Sequence, residues 1–342
     1  MMSDRDFFPL QRVIWAIDVF AEDLELQRPA AWLLRALARR FRMEIEPVYM
    51  MATFPYAVPK SVPQEFLDQT RESGQDELEA LTRRMKLPEL KPLTILPVSS
   101  LSTRESVEKL LEYTRSTRAD LIVLSTHARK GMLRALMGSF AESLLLEAPV
   151  PTLVVNPHWN SVTELRHILF PTDFSDESKI AFDAVLELAK SLGAQVTLYH
   201  RFELPGAGYS GLLYEAYSAY ERSLQDELEA KREQIKQAEV IAKERGVKLK
   251  AQLDTRTAKG VPESILSIAK EKGGIIVMAS RSNRFASSVL GSITRRVLRD
   301  SVLPVWVIRS AEYDALKKTP EITPREVAPQ TRGRLKKTPK AA

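Results

Sequence analysis

The chain repeats itself, and the repeat limits what it can fold into. Gly138-Ser139 is followed, after a helical stretch, by Pro151 and the apolar run Thr152-Leu153-Val154-Val155. Gly291-Ser292 is followed in the same way by Pro304 and Val305-Trp306-Val307-Ile308, 153 positions later. Val13–Asp18 matches Ile168–Asp173 at an offset of 155, and the string QDELEA begins at Gln75 and again at Gln225, 150 positions apart. Three separate anchors at nearly one period identify a tandem duplication. A chain of 342 residues is also the length of two ordinary domains of ~150 residues each.

Each half alternates short apolar runs with helical patterns. The first half predicts strands over 11–18, 44–50, 92–98, 120–125 and 151–156, and the second over 166–172, 195–200, 247–253, 274–279 and 303–309. Near-continuous apolar runs of this length fit strands buried on both faces of a parallel sheet. Between them, Pro29–Phe41 and Thr103–Thr117 carry apolar residues at helical spacing, the latter with Ser102 or Thr103 as N-cap. The second half predicts helices near 177–192, 213–246, 261–272 and 290–300. Strand and helix in alternation predict α/β architecture: two repeated doubly wound domains, each a five-stranded parallel sheet with helices on both faces. The polar, turn-rich stretch 157–161 reads as a linker between a first domain, 1–156, and a second, 162–312. Residues 313–342 read as a basic, disordered tail of Pro, Thr and charge.

Composition removes several classes of function. There is no cysteine, so disulfides, thiolate metal sites and a cysteine nucleophile are excluded. The four histidines show no metal-ligand spacing, so no metal residues are assigned. Neither half contains a Walker loop, a Gly-x-Ser-x-Gly elbow or a dinucleotide fingerprint. A net charge of +6 is mild for this length, and the basic residues of the tail lack interleaved aromatics, so nucleic acid is not an expected partner. No apolar stretch approaches the ~20 residues that span a bilayer, and no signal-peptide pattern opens the chain. The expected location is the cytoplasm, with no membrane contact.

Ligands of open parallel sheets bind beyond the carboxyl ends of the strands. Asp18 and Asp173 close the first strand of each half there. The turn after the fourth strand leads to Gly138-Ser139 and Gly291-Ser292 at a helix start, where unpaired N–H groups suit phosphate. Gly-Ser in that position is equally an ordinary helix cap.

The segments Pro171-Thr172-Asp173-Phe174-Ser175, Leu290-Gly291-Ser292-Ile293-Thr294 and Leu121–Gly131 running on to Gly138-Ser139 resemble the universal stress protein family over roughly residues 10–310. The resemblance implies a tandem member with an adenine nucleotide alpha-hydrolase-like fold, whose halves pair through their last strands. It also implies either ATP or AMP, with Mg, as the ligand of at least one half or, as in members that lack the motif glycines, no cofactor. The strand-end Asp would meet the adenine side, flanked in the second half by Pro171 and Thr172, and the loop and Gly-Ser would hold ribose and phosphates. Family members that bind ATP carry Gly, two residues, Gly, nine residues, Gly, then Ser or Thr. Here the first half has Ser125, Ala128, Gly138 and Ser139 at that spacing, with Arg129 and Lys130 available for phosphate charge. The second has Ala279, Ser282, Gly291 and Ser292, one residue shorter. Loss of the early glycines restricts close approach of a phosphate and, if φ is positive there, costs roughly 1 kcal/mol each.

Other constellations carry less. His127 falls in the ligand-facing loop, but its counterpart is Arg281, so no shared base is indicated. Glu77 with Glu79, and Glu227 with Glu229, lie two apart on charged helices and do not share a face. Three functions stay open. The first is non-catalytic stress response by ligand sensing or protein contacts. The second is weak ATP binding and hydrolysis. The third is a pure interaction scaffold in which the middle segments 55–90 and 205–246 bind partners or cover the clefts. Protein partners or further homo-oligomerisation are compatible with all three.

Overall fold

The computed structural model describes residues 10–52, 63–83, 87, 90–99, 102–126, 138–159, 165–202, 214–255, 259–280 and 290–309. The first half runs β1 (Arg12–Ala16), α1 (Arg28–Ala38), β2 (Glu44–Ala52), α2 (Gln64–Thr82), β3 (Thr94–Val98), α3 (Thr103–Thr117), β4 (Leu121–Ser125), α4 (Ser139–Glu147) and β5 (Thr152–Val155). The second runs β6 (His167–Pro171), α5 (Asp176–Leu192), β7 (Gln195–Arg201), α6 (Tyr214–Glu244), β8 (Leu249–Asp254), α7 (Val261–Lys272), β9 (Ile275–Ser280), α8 (Ser292–Asp300) and β10 (Val305–Arg309). Each half is a five-stranded parallel sheet, and the two merge into one ten-stranded sheet in the order β3-β2-β1-β4-β5-β10-β9-β6-β7-β8. The ladder between β5 and β10 is antiparallel, with Val154 opposite Val305, Leu153 opposite Trp306 and Thr152 opposite Val307.

The apolar runs become strands because alternate residues feed two cores. Val13 and Trp15 of β1 enter a cluster with Leu33, Leu34 and Leu37 of α1, whereas Ile14 and Ala16 enter one with Leu110 of α3 and Leu144 of α4. Helices α1, α2, α5 and α6 cover one face of the sheet, and α3, α4, α7 and α8 cover the other. Both clusters run through the two halves, so the core does not stop at the duplication boundary.

Backbone chemistry sets several boundaries. Ser175 caps α5 by accepting from Ser178 N–H, and Ser102 stands at the N-cap position of α3 with extended backbone. Gly274 enters β9 at φ +84°, and a Cβ there would fall 2.0 Å from the His167 carbonyl oxygen, so only glycine serves. Pro97 on the outermost strand of the first half has no N–H to offer a further strand.

The sequence expectation runs the first strand to residue 18; it ends at Ala16 and leaves Asp18 beyond the ladder. A 3-10 turn, Leu24–Gln27, precedes α1 and has no counterpart before α5, which begins three residues after Asp173. The basic residues of the tail lie outside the described residues.

The seam is closed by more than its ladder. Asn156 Nδ2 donates to Ser301 O at 2.8 Å, Arg309 Nη1 donates to Ala148 O at 3.0 Å, and Arg295 pairs with Glu142 across the boundary. Trp306 is fully buried. Trp306→Ala is expected to lower stability by about 3–5 kcal/mol, measured by urea unfolding. An unchanged midpoint would mean that the seam carries no stability.

Candidate functional site

Beyond the carboxyl ends of β1, β2, β3 and β4 lies a cleft of about 620 Å³. That is room for a ligand of nucleotide size. Its floor is Ala16, Met50, Leu124 and Ser125; Thr103 and Ser106 of α3 and Phe140 of α4 form one wall. The connection from β1 to α1 forms the other, with Asp18, Glu22, Asp23, Leu26 and Gln27. Leu26 and Gln27 of this second wall belong to the 3-10 turn, a feature without helical periodicity in the sequence.

Asp18 is lightly engaged. One carboxylate oxygen accepts from Phe20 N–H at 3.1 Å, and the group otherwise faces the cleft. Tyr49 stands beside it on β2, its ring edge-on to Phe20 at 5.3 Å. Burial, and then the Asp18 charge, push the Tyr49 hydroxyl above its usual range, so it stays protonated as a donor. At the α4 start, Gly138 is the N-cap with φ −70° and Ser139 is the first helical residue; Ser139 Oγ lies 3.1 Å from Thr103 Oγ1. Three lining groups are orphaned. Gln27 Oε1, Ser125 Oγ and Thr126 Oγ1 are buried with no hydrogen-bond partner. Buried polar groups in folded proteins are nearly always satisfied, so three in one cleft mark a place where a ligand or water completes the bonding.

The second half answers the same positions differently. Asp173 accepts from Ser175 N–H at 3.0 Å, from Ser175 Oγ at 2.6 Å and from Ser178 Oγ at 2.6 Å, so its carboxylate organises the start of α5. Thr172 Oγ1 accepts from Phe174 N–H, which holds Phe174 at φ +60°. The Phe174 ring packs on His200 at 4.9 Å with Lys231 of α6 above it. Ala16 pairs with Val48 as Pro171 pairs with Tyr199, which places Met50 in register with Arg201 and Leu96 with Asp254. Where the first half has Met50, which lines the cleft, and Leu96, which packs on the core beside it, the second has a buried ion pair: Arg201 Nη1 to Asp254 Oδ2 at 3.0 Å, both side chains more than nine-tenths buried. Arg201 also donates to Lys259 O, and Tyr199 OH donates to Asp254. This pair was invisible to spacing rules, because the two residues are 53 apart in sequence.

The glycine replacements carry less strain than expected. Ser125 closes β4 and Ala279 lies inside β9, and among the described non-glycine residues only Arg118 and Phe174 have positive φ. Side chains at 125 and 279 therefore impose no backbone penalty. Gly291 has φ −53°, and a Cβ there would meet nothing nearer than Thr294 Oγ1 at 3.9 Å. Neither backbone nor packing requires that glycine. Ser292 is the first residue of α8. Ala128, Ser282, His127, Arg129 and Lys130 lie outside the described residues. Among the described residues no group of three His, Asp or Glu side chains is placed to hold a metal, and no helix is long and apolar enough to cross a membrane.

A family model described as the universal stress protein family matches residues 9–156 and again 164–309. The chain belongs to the universal stress protein family, as a tandem member. The universal stress protein YxiE of Bacillus subtilis is 33% identical over 150 residues, covering 42% of this chain and 97% of its own. A Mycobacterium tuberculosis universal stress protein is 24% identical over 208 residues, covering 57% of this chain and 64% of its own. The crystal structure of a universal stress protein from Archaeoglobus fulgidus superposes with a TM-score of 0.55 at 16% identity, over 89% of this chain and 98% of that one. A functionally unknown Pseudomonas aeruginosa protein gives 0.56 at 12% identity, over 90% and 96%. These last two likenesses concern the fold.

Two predictions follow from the universal stress protein's second half. Arg201→Met strands Asp254 as a buried charge and is expected to cost about 3–5 kcal/mol, while adding Asp254→Leu recovers most of the loss. Chemical denaturation of the three variants checks this, and an equal loss in the double variant would refute it. Burial, opposed by carbonyl contacts from Gly273 and Thr172, holds His167 and His200 below the usual imidazole range. Both are neutral in the fold, so their contribution is complete above the unfolded value near ~6.5 and is lost as pH falls below it. Melting temperature is expected to fall between pH 7 and pH 5, with a shallower fall in His200→Gln.

Proposed function

We propose that this chain is a non-catalytic ligand sensor of the stress response, and that its first half binds an adenine nucleotide or nucleoside such as ATP or AMP. The observation that carries the reading is the contrast between the halves. The first has an open cleft with a lightly engaged Asp18 and three orphaned polar groups, whereas the second fills the corresponding positions with the Arg201–Asp254 pair and spends Asp173 on the start of α5.

In this reading Asp18 and Tyr49 meet the base, Met50, Ala52 and Val98 supply apolar contact, and Thr103, with Ser139 of the α4 start 3.1 Å behind it, meets the sugar or phosphate end. A phosphate there would be favoured by the helix N-terminus. Any Mg would enter with the phosphates. Ligand occupancy, rather than turnover, is the signal. It would tighten the β1–α1 connection against α3 and α4, which are the elements a partner protein would read.

The test is thermal unfolding with and without Mg-ATP and AMP, together with mass spectrometry of small molecules released from the purified protein. A ligand at 100 times its Kd adds about 2.7 kcal/mol and moves a domain of this size by several degrees. The shift is expected to vanish in Asp18→Ala and to survive in Asp173→Ala. Survival in Asp18→Ala with loss in Asp173→Ala would move the site to the second half. Phosphate release above a boiled control would replace sensing by hydrolysis.

A further inference from the structure

The amino ends of the first-half strands carry a cluster of arginines. Arg12 opens β1, Arg39 is the C-cap of α1, Arg40 and Arg42 lie between α1 and β2, and Arg115 and Arg118 stand at the end of α3. Helices α1 and α3 cover opposite faces of the sheet, so their ends reach this edge from both sides. Arg39, Arg40, Arg42, Arg115 and Arg118 are exposed, and among the described residues none of the five makes an ion pair. The carboxylates of the edge strands are engaged internally. Glu44 pairs with Lys91 at 2.7 Å and with Arg12 at 3.6 Å, Asp120 accepts from the N–H groups of Gln11 and Arg12 at 2.8 Å, and the buried Glu46 accepts from Thr94 and Tyr113. The neighbouring sequence keeps the sign positive. Residues 1–9 and 84–89 together hold Asp4, Asp6 and Glu89 against Arg5, Arg84 and Lys86. Strand β10 ends at this same edge, because it runs antiparallel to β5, and residues 310–342 after it hold eight Lys and Arg against four acids.

The duplicate shows that the fold does not require these side chains. Glu44 and Gln195 open β2 and β7 in the same register, opposite Arg12 and His167. Counting back from them, Arg42 stands where the second half has Gly193, and Arg40 where it has Ser191. A cation in the last helical turn answers the helix dipole, which accounts for Arg115, but Arg40 and Arg42 lie beyond α1. Arg118 is the C-cap of α3 at φ +53°, where the C-cap of α7 is Gly273 at φ +71°. That conformation strains an arginine and suits a glycine, so the guanidinium is held at a local cost that its duplicate avoids.

We infer that this edge is a docking surface for duplex nucleic acid, held by its phosphate backbone without reading sequence. Guanidinium forks bind phosphate oxygens two at a time, whereas a lysine offers a point charge. Arg42, Arg12 and Arg118 precede or open the adjacent strands β2, β1 and β4. At one strand spacing each they form a row about 10 Å long, which suits successive phosphates of a regular backbone. Phe41 and Met43, between the arginines, are buried in the core, so this stretch presents charge rather than rings for base stacking. A net charge of +6 is mild over the whole chain, but a local concentration at one edge is the electrostatic footprint that a polyanion meets. The surface lies at the opposite end of β1 from Asp18, so it stands independently of the cleft.

Fluorescence anisotropy of a labelled DNA duplex of arbitrary sequence, titrated with the full-length protein over a range of salt, tests the inference. Binding is expected with a Kd of about 1–100 μM at physiological salt. Log affinity should fall against log salt with a slope of about −4 to −5, since five phosphate contacts contribute ~0.9 each. Arg40→Gln/Arg42→Gln/Arg118→Gly should weaken binding at low salt by about tenfold or more and make the slope shallower by about 3. Arg118→Gly alone should make it shallower by about 1 while leaving the melting temperature equal or higher. Lys190→Gln/Lys248→Gln/Lys272→Gln removes the same charge at the amino ends of the second half and should bind as the wild type does. An equal loss in that control would reduce the effect to net charge and overturn the inference. Binding that survives the arginine variant would move the contact to residues 310–342 and overturn it too. So would a lower melting temperature with unchanged binding in Arg118→Gly, or no binding of the duplex by the wild-type protein at ~100 μM. Cosedimentation with phosphatidylserine vesicles that is lost in the arginine variant, without duplex binding, would assign the edge to an anionic membrane instead.

Discussion

The antiparallel ladder between β5 and β10 is the contact on which the rest of the molecule depends. Every other ladder in the sheet is parallel, so each half alone would leave its last strand as an open edge. Joining those two edges buries Leu153 against Trp306 and extends both cores across the boundary. It also fixes where function can sit. Strands of the two halves run in opposite directions, so their carboxyl ends emerge at opposite edges of the sheet. The first-half cleft and its second-half counterpart therefore cannot share a ligand. Each must be built, or filled, from its own half.

Duplication of this kind starts from two equal sites, and the residues show how they have diverged. Met50 and Leu96 stand in register with Arg201 and Asp254. Exchanging an apolar pair for a buried ion pair does not add stability by itself, because desolvation of both charges offsets their attraction. What it does is occupy the position with groups that must remain paired. The same division appears at the strand-end carboxylates. Asp173 accepts three hydrogen bonds from its own helix start, and Asp18 accepts one from the turn beside it. All three of the Asp173 bonds fall on one carboxylate oxygen, Oδ1, which ties that side of the group to the α5 start.

How much of this was legible in the sequence depends on the range of each interaction. The ten strands were, because continuous burial on both faces forces continuous apolar runs, as in Leu121–Leu124. The joining of the last strands was also legible, through the family resemblance rather than through spacing. The 3-10 turn Leu24–Gln27 was not: four residues without helical periodicity give no pattern, yet two of them, Leu26 and Gln27, line the cleft. Nor was the Arg201–Asp254 pair, whose partners meet only after β7 and β8 align. Asp173 was expected to face a ligand; the signal for its local role was the pair of serines at 175 and 178, within one turn of the α5 start.

The replaced glycines show why a motif departure has to be judged by conformation. Glycine is required where φ is positive or where another backbone or a ligand comes very close. Ser125 satisfies neither condition on the protein's side: it ends a strand with ordinary strand geometry and hydrogen-bonded neighbours in β5. Its Cβ therefore costs no strain, and its hydroxyl changes the chemistry of the floor from bare backbone to a polar atom without a partner. Such an atom is unfavourable in an empty cleft and favourable in a filled one. A hydroxyl donates as well as accepts, so the substitution that departs from the nucleotide motif as a pattern adds to the cleft floor a group able to bond either kind of partner.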